Sequence, residues 1–258
     1  MYDLKEKVAL VTGGSEGIGY AIAHKFAEEG AYCVLVARTL EKLRRAVEQL
    51  PGKNHFIISA DVSDYTQVEN AIKKTKNHYG RIDILVNNAG VFHLSPLAAT
   101  DPLILKRTIE TNLLGPLYFY HAIAPIFFDQ QSGIVVDVLS QAAFQIFTND
   151  NSYTAAKHGH RATSIMVEQE WNGEIKKKEK VKFPFYRIYP AGVYTKVWDD
   201  GTKLKKEIKE GNTFLEPSDV ADIVYTMVHE ENGTDVYVGM LDGRKMTGVV
   251  SKNKIGPL

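Results

Sequence analysis

Two kinds of apolar segment alternate along the chain. Short, near-continuous runs rich in Val, Ile and Leu recur at Val8–Val11, Cys33–Val36, Phe56–Ile58, Ile82–Val86, Ile134–Leu139, Phe185–Tyr189 and Val236–Val238. Runs of this length without polar alternation suit strands buried on both faces, as in a parallel sheet covered by helices. Between them, apolar residues fall at helical spacing. Ile18, Ala21, Ile22, Phe26 and Ala27 follow the first run, Leu40, Leu43, Val47 and Leu50 the second, and Val68, Ala71 and Ile72 the third. Strand and helix alternate at least five times, which predicts an α/β fold with right-handed crossovers. No repeat and no Pro/Gly/Ser-rich linker divides the chain, so residues 1–258 read as one domain. Two stretches break the rhythm. Glu174–Lys182 is a charge run that reads as a solvated connection. Residues 193–213 carry Gly201, Gly211 and many charges beyond a strand, where a lid on the substrate side is expected.

Composition narrows the partners. The chain has 31 Lys plus Arg and 31 Asp plus Glu, hence no net charge at pH 7. Nucleic acid and anionic membranes both reward a basic excess, so neither is expected as the main partner. Cys33 is the only cysteine, which excludes an intrachain disulfide and disfavours structural zinc. His158 and His160 form a His-x-His with no cluster of carboxylates or thiols beside it, and they read as ordinary helix histidines with no metal. No apolar stretch is long enough to span a membrane, and the opening Met1–Lys7 lacks a basic-then-apolar export pattern. The expectation is a soluble protein of the reducing cytoplasm.

Candidate chemistry begins after the first strand, at Thr12-Gly13-Gly14-Ser15-Glu16-Gly17-Ile18-Gly19. Glycines permit a tight turn and close backbone approach, and the helix that follows offers free N–H groups and a positive dipole end. This is the physics of a phosphate cradle, although a Gly-x3-Gly-x-Gly spacing differs from the general dinucleotide fingerprint.

The segment resembles the first strand–helix junction of the short-chain dehydrogenase/reductases, in their single-domain form of about this length, and the resemblance continues in order along nearly the whole chain. Asp61-Val62 follows the third strand, Asn87-Asn88-Ala89-Gly90 ends the fourth, and Asn112 lies in the next helix. Ser140 closes the fifth strand, Tyr153-x3-Lys157 follows, and Pro190…Thr195 comes after the sixth. The resemblance implies a Rossmann-type doubly wound sheet of about seven strands with helices on both faces. It also implies a dinucleotide held by Gly13, Ser15, Gly17, Ile18, Asp61, Val62, Asn88, Ala89, Gly90, Tyr153, Lys157, Pro190, Val193 and Thr195. The end of the second strand reads Val36-Ala37-Arg38-Thr39, with no carboxylate to accept from a ribose 2′-hydroxyl. A guanidinium stands there instead, suited to bidentate phosphate contacts, so NADP(H) is expected over NAD(H). The plainer reading is that Arg38 merely opens the next helix.

With 13 Tyr and abundant Lys in the chain, chance alone produces about one Tyr-x3-Lys. Position gives the pair meaning: one helical turn sets Tyr153 and Lys157 on the same face, downstream of Ser140 at a strand end. Tyr153 is then the candidate acid/base, with its phenol made more acidic by a neighbouring ammonium, and Ser140 the hydrogen-bonding partner of a substrate oxygen. By resemblance, Asn112 distorts its helix and links Lys157 to solvent through water. His93, Leu94, Gln141, Phe144, Ile146, Phe147 and Trp198 fall in loops that border the substrate in the family, which points to an apolar carbonyl or alcohol. The family also implies a homodimer or homotetramer. Ala191 after Pro190, Leu139 before Ser140, and a tail from Met240 without the usual glycine pair depart from its pattern. Two rival readings remain at this point: an epimerase or dehydratase, and a dinucleotide-sensing protein without turnover.

Overall fold

The structure, a computed structural model, describes residues 2–176, 181–195, 214–229, 233–241 and 244–249. Most of the expected lid, including Trp198, and residues 177–180 of the charge run lie outside the described residues.

The strands are β1 (Val8–Thr12), β2 (Tyr32–Ala37), β3 (Phe56–Ser59), β4 (Ile84–Asn87), β5 (Ile134–Val138), β6 (Phe185–Pro190), β7 (Asp235–Leu241) and β8 (Arg244–Val249). They form one sheet in the order β3-β2-β1-β4-β5-β6-β7-β8. The first seven run parallel, with the order reversing at β1, so β1 and β4 flank the switch point where ligands bind in such sheets. β8 is the difference from the expected seven strands, because it returns antiparallel against β7. Its sequence, Arg244-Lys245-Met246-Thr247-Gly248-Val249, lacks the apolar run that marks the buried parallel strands. A strand at the edge of a sheet has no need of one.

The helices are α1 (Gly17–Glu28), α2 (Leu40–Glu48), α3 (Tyr65–Tyr79), α4 (Pro102–Ile109), α5 (Gly115–Gln130), α6 (Asn151–Lys176) and α7 (Pro217–Val228). Side chains alternate across each strand. Ala9, Val11, Cys33 and Leu35 enter one apolar layer with Ile22 and Phe26 of α1 and Val224 of α7. Val8, Leu10, Val34 and Val36 enter the other, with Ile72 of α3, Phe119 and Phe127 of α5, and Trp171 of α6. Burial on both faces is why the strand runs read as continuous. Cys33 is one of these buried residues, and burial pushes its thiol up to about 12, far from reactive.

Candidate active site

The carboxyl ends of β1, β2, β4, β5 and β6 open on one cavity of about 930 Å³. Gly13, Ser15, Gly17, Ile18, Arg38, Asp61, Val62, Asn88, Ala89, Gly90, Asn112, Ser140, Gln141, Phe147, Tyr153, Lys157, Pro190, Val193 and Thr195 all line it. Residues scattered from 13 to 195 thus converge, because every βα connection on this side of the sheet exits toward the same crevice.

On one flank the wall is mostly backbone. Gly13 takes φ +64, and a Cβ there would lie 2.8 Å from Asn88 Nδ2; at Gly19 it would lie 2.4 Å from the same atom. Side chains are thereby excluded at these two positions. The Thr12 hydroxyl locks the neighbouring loops together: it donates to Val86 O at 3.1 Å and accepts from Asn88 N at 2.9 Å and Ala89 N at 3.0 Å. Asn88 Nδ2 donates back to Thr12 O at 2.9 Å. The Asp61 carboxylate is fixed by Ser63, which donates both its N–H (3.0 Å) and its hydroxyl (2.7 Å) to Oδ1. Gly192 and Tyr194, on either side of Val193, are held by backbone bonds with Leu215, and Thr195 lies close over the glycine turn. Arg38 is exposed at the rim, and its guanidinium makes no hydrogen bond or ion pair among the described residues. Lys42, one turn into α2, joins the same rim, where its ammonium lies 2.8 Å from Glu16 Oε1. Sequence reasoning passed over Lys42, yet four residues after Arg38 is the spacing that puts both on one side of a helix start.

The other flank is built from side chains. Ser140 caps a short turn after β5, its Oγ accepting from Ala142 N at 3.1 Å. Tyr153, in the first turn of α6, meets Phe92 edge to face at a centroid distance of 5.0 Å. Lys157 Nζ lies 5.7 Å from the Tyr153 ring centroid and donates to Val138 O at 3.0 Å. Burial pushes the Tyr153 phenol up to about 12; a hydrogen bond with Ser140 works against that rise, and the Asp150 carboxylate adds to it. Burial also brings Lys157 down to about 8, opposed by the charge of Asp137 beneath it. The expected acidic phenol is therefore not a property of these side chains alone. Desolvation outweighs the Ser140 hydrogen bond, and the Lys157 ammonium itself loses charge more readily than usual.

Asn112 sits in a single π-helical turn, Glu110–Leu114, between α4 and α5. Its Nδ2 donates to Val91 O at 2.8 Å and Thr108 O at 2.9 Å, and its Oδ1 accepts from Val91 N at 3.3 Å. The side chain thus ties the distorted turn to the loop after β4, and π-bulges of this kind recur at functional sites. Three residues expected at the substrate do not reach the cavity. Phe144 turns inward onto Tyr189 and Tyr237, with centroids at 5.1 and 6.3 Å, Ile146 is exposed, and His93 is not part of the wall. Leu94 does line it, as do Phe92, Phe214 and Asp150. Phe92 and Leu94 flank His93, and an extended loop sends alternate side chains to opposite sides. Among the described residues, no group of three or more His, Cys, Asp or Glu is placed to hold a metal.

The family model for short chain dehydrogenase matches residues 7–203. Among curated proteins, the chain is 31% identical over 249 residues to a D-threitol dehydrogenase of Mycolicibacterium smegmatis, covering 92% of this chain and 93% of that one. Among solved structures it resembles a metagenomic short-chain oxidoreductase in complex with NADP, with 27% identity, TM-score 0.74 and coverage of 91% and 96%. A short-chain dehydrogenase/reductase from Burkholderia phymatum in complex with NAD shares the fold, with TM-score 0.82, 22% identity and coverage of 92% and 89%.

Proposed function

The chain belongs to the short-chain dehydrogenase/reductase family of oxidoreductases, and from that premise we propose that it is an NADP(H)-dependent carbonyl reductase or alcohol dehydrogenase in which Tyr153 is the acid/base. The observation that carries the reading is the Ser140–Tyr153–Lys157 constellation, opening on the same cavity as the glycine turn.

The residues present fit a dinucleotide. The turn after β1 is free of side chains where phosphates need close approach, and Arg38 and Lys42 bring positive charge to its rim. Glu16, which pairs with Lys42, leaves the Arg38 fork for a 2′-phosphate. Asp61 and Val62 would hold the adenine, Gly13, Ser15, Gly17 and Ile18 the pyrophosphate, and Asn88, Ala89, Gly90, Pro190, Val193 and Thr195 the nicotinamide half. Bound there, the cofactor supplies or takes up the hydride. The chain's own residues do the rest. Ser140 positions the substrate oxygen, and the Tyr153 phenol donates its proton to that oxygen in reduction. Burial keeps the Tyr153 phenol protonated, so that its proton is available for donation. Lys157 holds the cofactor's ribose and, with Asn112, connects the phenol to solvent for reprotonation.

Phe92, Leu94 and Phe147 make much of the substrate wall apolar, in keeping with a substrate that has a hydrocarbon body. The D-threitol dehydrogenase supports alcohol or carbonyl chemistry at the reacting carbon. A sensor without turnover would not need Ser140, Tyr153 and Lys157 together. No described helix is long and apolar enough to cross a membrane, and the reading includes a homodimer or homotetramer working in the cytoplasm. The test is NADPH and NADH oxidation across a panel of acyl-thioester, steroid, sugar and simple ketone substrates. Oxidation of NADPH, at least tenfold preferred over NADH, is expected with at least one class. No oxidation of either cofactor with any class overturns the reading.

A further inference from the structure

The polar face of α6 does not stop at the reacting groups. Tyr153, Lys157, His160 and Ser164 fall on one stripe of the helix, and the far half of that stripe meets a carboxylate. Asp137 interrupts the otherwise apolar strand β5 and is fully buried. Its Oδ1 accepts from Asn87 Nδ2 at 3.0 Å, its Oδ2 accepts from the Ser164 hydroxyl at 2.5 Å, and His160 Nε2 lies 3.4 Å from Oδ1. Lys157 Nζ is tied to the carbonyl of the next strand residue, Val138. The reaction described above gives no part to Asp137, His160 or Ser164.

A carboxylate in such a place is strongly destabilised unless donors surround it. Burial raises the Asp137 carboxyl, but His160, Ser164 and Asn87 together hold it below the usual carboxylate range. His160 supplies a hydrogen bond without a charge. Burial holds its imidazole below the ordinary range, and its buried Nδ1 has no partner among the described residues, as suits a neutral ring with its proton on Nε2. Tyr120 of α5, whose hydroxyl lies 3.1 Å from the same Nε2, is kept protonated by burial and by the Asp137 charge. The full positive charges that feel Asp137 are then Lys157 of α6 and Arg187 of β6. Arg187 stands opposite Asp137 in the β5–β6 register, yet its guanidinium donates to Glu168 Oε2 at 2.9 Å and pairs with Asp235 at 3.4 Å. Lys157 has no ion pair of its own among the described residues. Loss of its proton would leave Arg187 alone among Asp137, Glu168 and Asp235, which opposes that loss. Against the desolvation that brings Lys157 down to about 8, the Asp137 charge is the opposing influence.

We propose that Asp137 is a positioning residue for the reaction: from beneath the site it supplies the counter-charge that keeps Lys157 an ammonium at neutral pH, while Asn87, Ser164 and His160 keep Asp137 itself ionised. The proposal rests on the oxidoreductase reading above and adds to it the group that sets its alkaline limit. A neutral Lys157 has one donor fewer for the cofactor's ribose and no charge to offer beside the Tyr153 ring. Stapling β4, β5 and α6 together is a second use of the same bonds, but a staple has no need of a charge.

The experiment follows Lys157 by carbon-13 NMR of lysine-labelled protein without cofactor, with its signal identified in Lys157→Arg, in the wild type and in Asp137→Asn, which keeps the shape and removes the charge. Lys157 is expected to titrate near 8 in the wild type and about one pH unit or more lower in Asp137→Asn. The alkaline fall in kcat/KM for NADPH-dependent ketone reduction should move with it, so that the variant loses about fivefold at pH 8 and little at pH 6. A merely structural role would lower activity equally at all pH values and leave the Lys157 titration where it was. The proposal is overturned if Lys157 titrates alike in the wild type and the folded variant. It is also overturned, by the wild type alone, if Lys157 is uncharged at pH 7 or if the Asp137 carboxyl carbon reports a protonated acid there. Absence of NADPH oxidation with every carbonyl tested overturns the oxidoreductase reading instead, and the NMR titrations, which need no turnover, still decide the role of Asp137.

Discussion

The two flanks of the cavity solve different problems by different means. The flank over β1, β2 and β4 is a backbone surface: glycines clear it, Thr12 and Asn88 lock its loops together, and its free charge, Arg38, stands at the exposed rim. The flank over β5 and α6 is a side-chain surface in which Tyr153, Lys157 and Asp150 are largely removed from water and displaced from their ordinary protonation ranges. A ligand that is the same in every turnover is well served by rigid main-chain donors. A reacting group needs titratable side chains whose proton affinity burial can move. Tight locking belongs to the first flank and stored electrostatic cost to the second.

That contrast breaks most decisively at Gly19. A valine there would drive its side chain into Asn88 Nδ2 and Gly13 O, and more than a hundredfold loss of NADPH affinity by fluorescence titration is expected, a figure on the order of two or more lost main-chain bonds to a phosphate. Arg38→Asp is next, with NADPH affinity falling about tenfold to a hundredfold and NADH affinity changing little. Equal wild-type affinities for the two cofactors would remove the role given to Arg38.

The second flank answers to pH. There, kcat/KM for alcohol oxidation should rise with pH through neutrality, because burial holds the phenol protonated and the phenolate is scarce there. Reduction should stay level until Lys157 loses its proton near 8. Asn112→Ala removes the side-chain bonds that tie the π-turn to Val91, and a loss of about 1–3 kcal/mol in urea unfolding is expected. The smallest effect is a gain. The folded-state pKa of Asp150 is raised from 3.8 to about 6, so between those values the folded protein holds more protons than the unfolded chain, and stability falls as pH rises through that window. Asp150→Asn should therefore raise Tm by about 2–4 °C at pH 8, with the gain gone by pH 4.

The same contrast governs what could be read from the sequence. The cofactor flank was legible because its geometry restricts residue type: a positive φ at Gly13 and a crowded Gly19 admit little else, and Thr12 and Asn88 are the locking partners such a turn requires. The Tyr153–Lys157 pair was legible from helical spacing and its place after Ser140. The apolar part of the wall was legible only in part, since it is assembled by loops of no fixed period: Leu94 and Phe147 line the cavity as expected, whereas His93 and Phe144 from the same loops do not. Asp150 left no sequence signal, because only packing reveals its buried carboxyl. β8 was missed for a similar reason: an edge strand carrying Arg244 and Lys245 lacks the apolar run by which the inner strands were recognised.

The most direct test of the central claim is stopped-flow observation of hydride transfer from NADPH to a reactive ketone in the wild type and Tyr153→Phe, with NADPH affinity titrated in the same preparations. If Tyr153 is the proton donor in a cavity that binds cofactor mainly through the opposite flank, affinity should change less than about threefold while the transfer rate falls by about a hundredfold to ten-thousandfold. A variant that binds NADPH and transfers hydride at the wild-type rate would contradict the account.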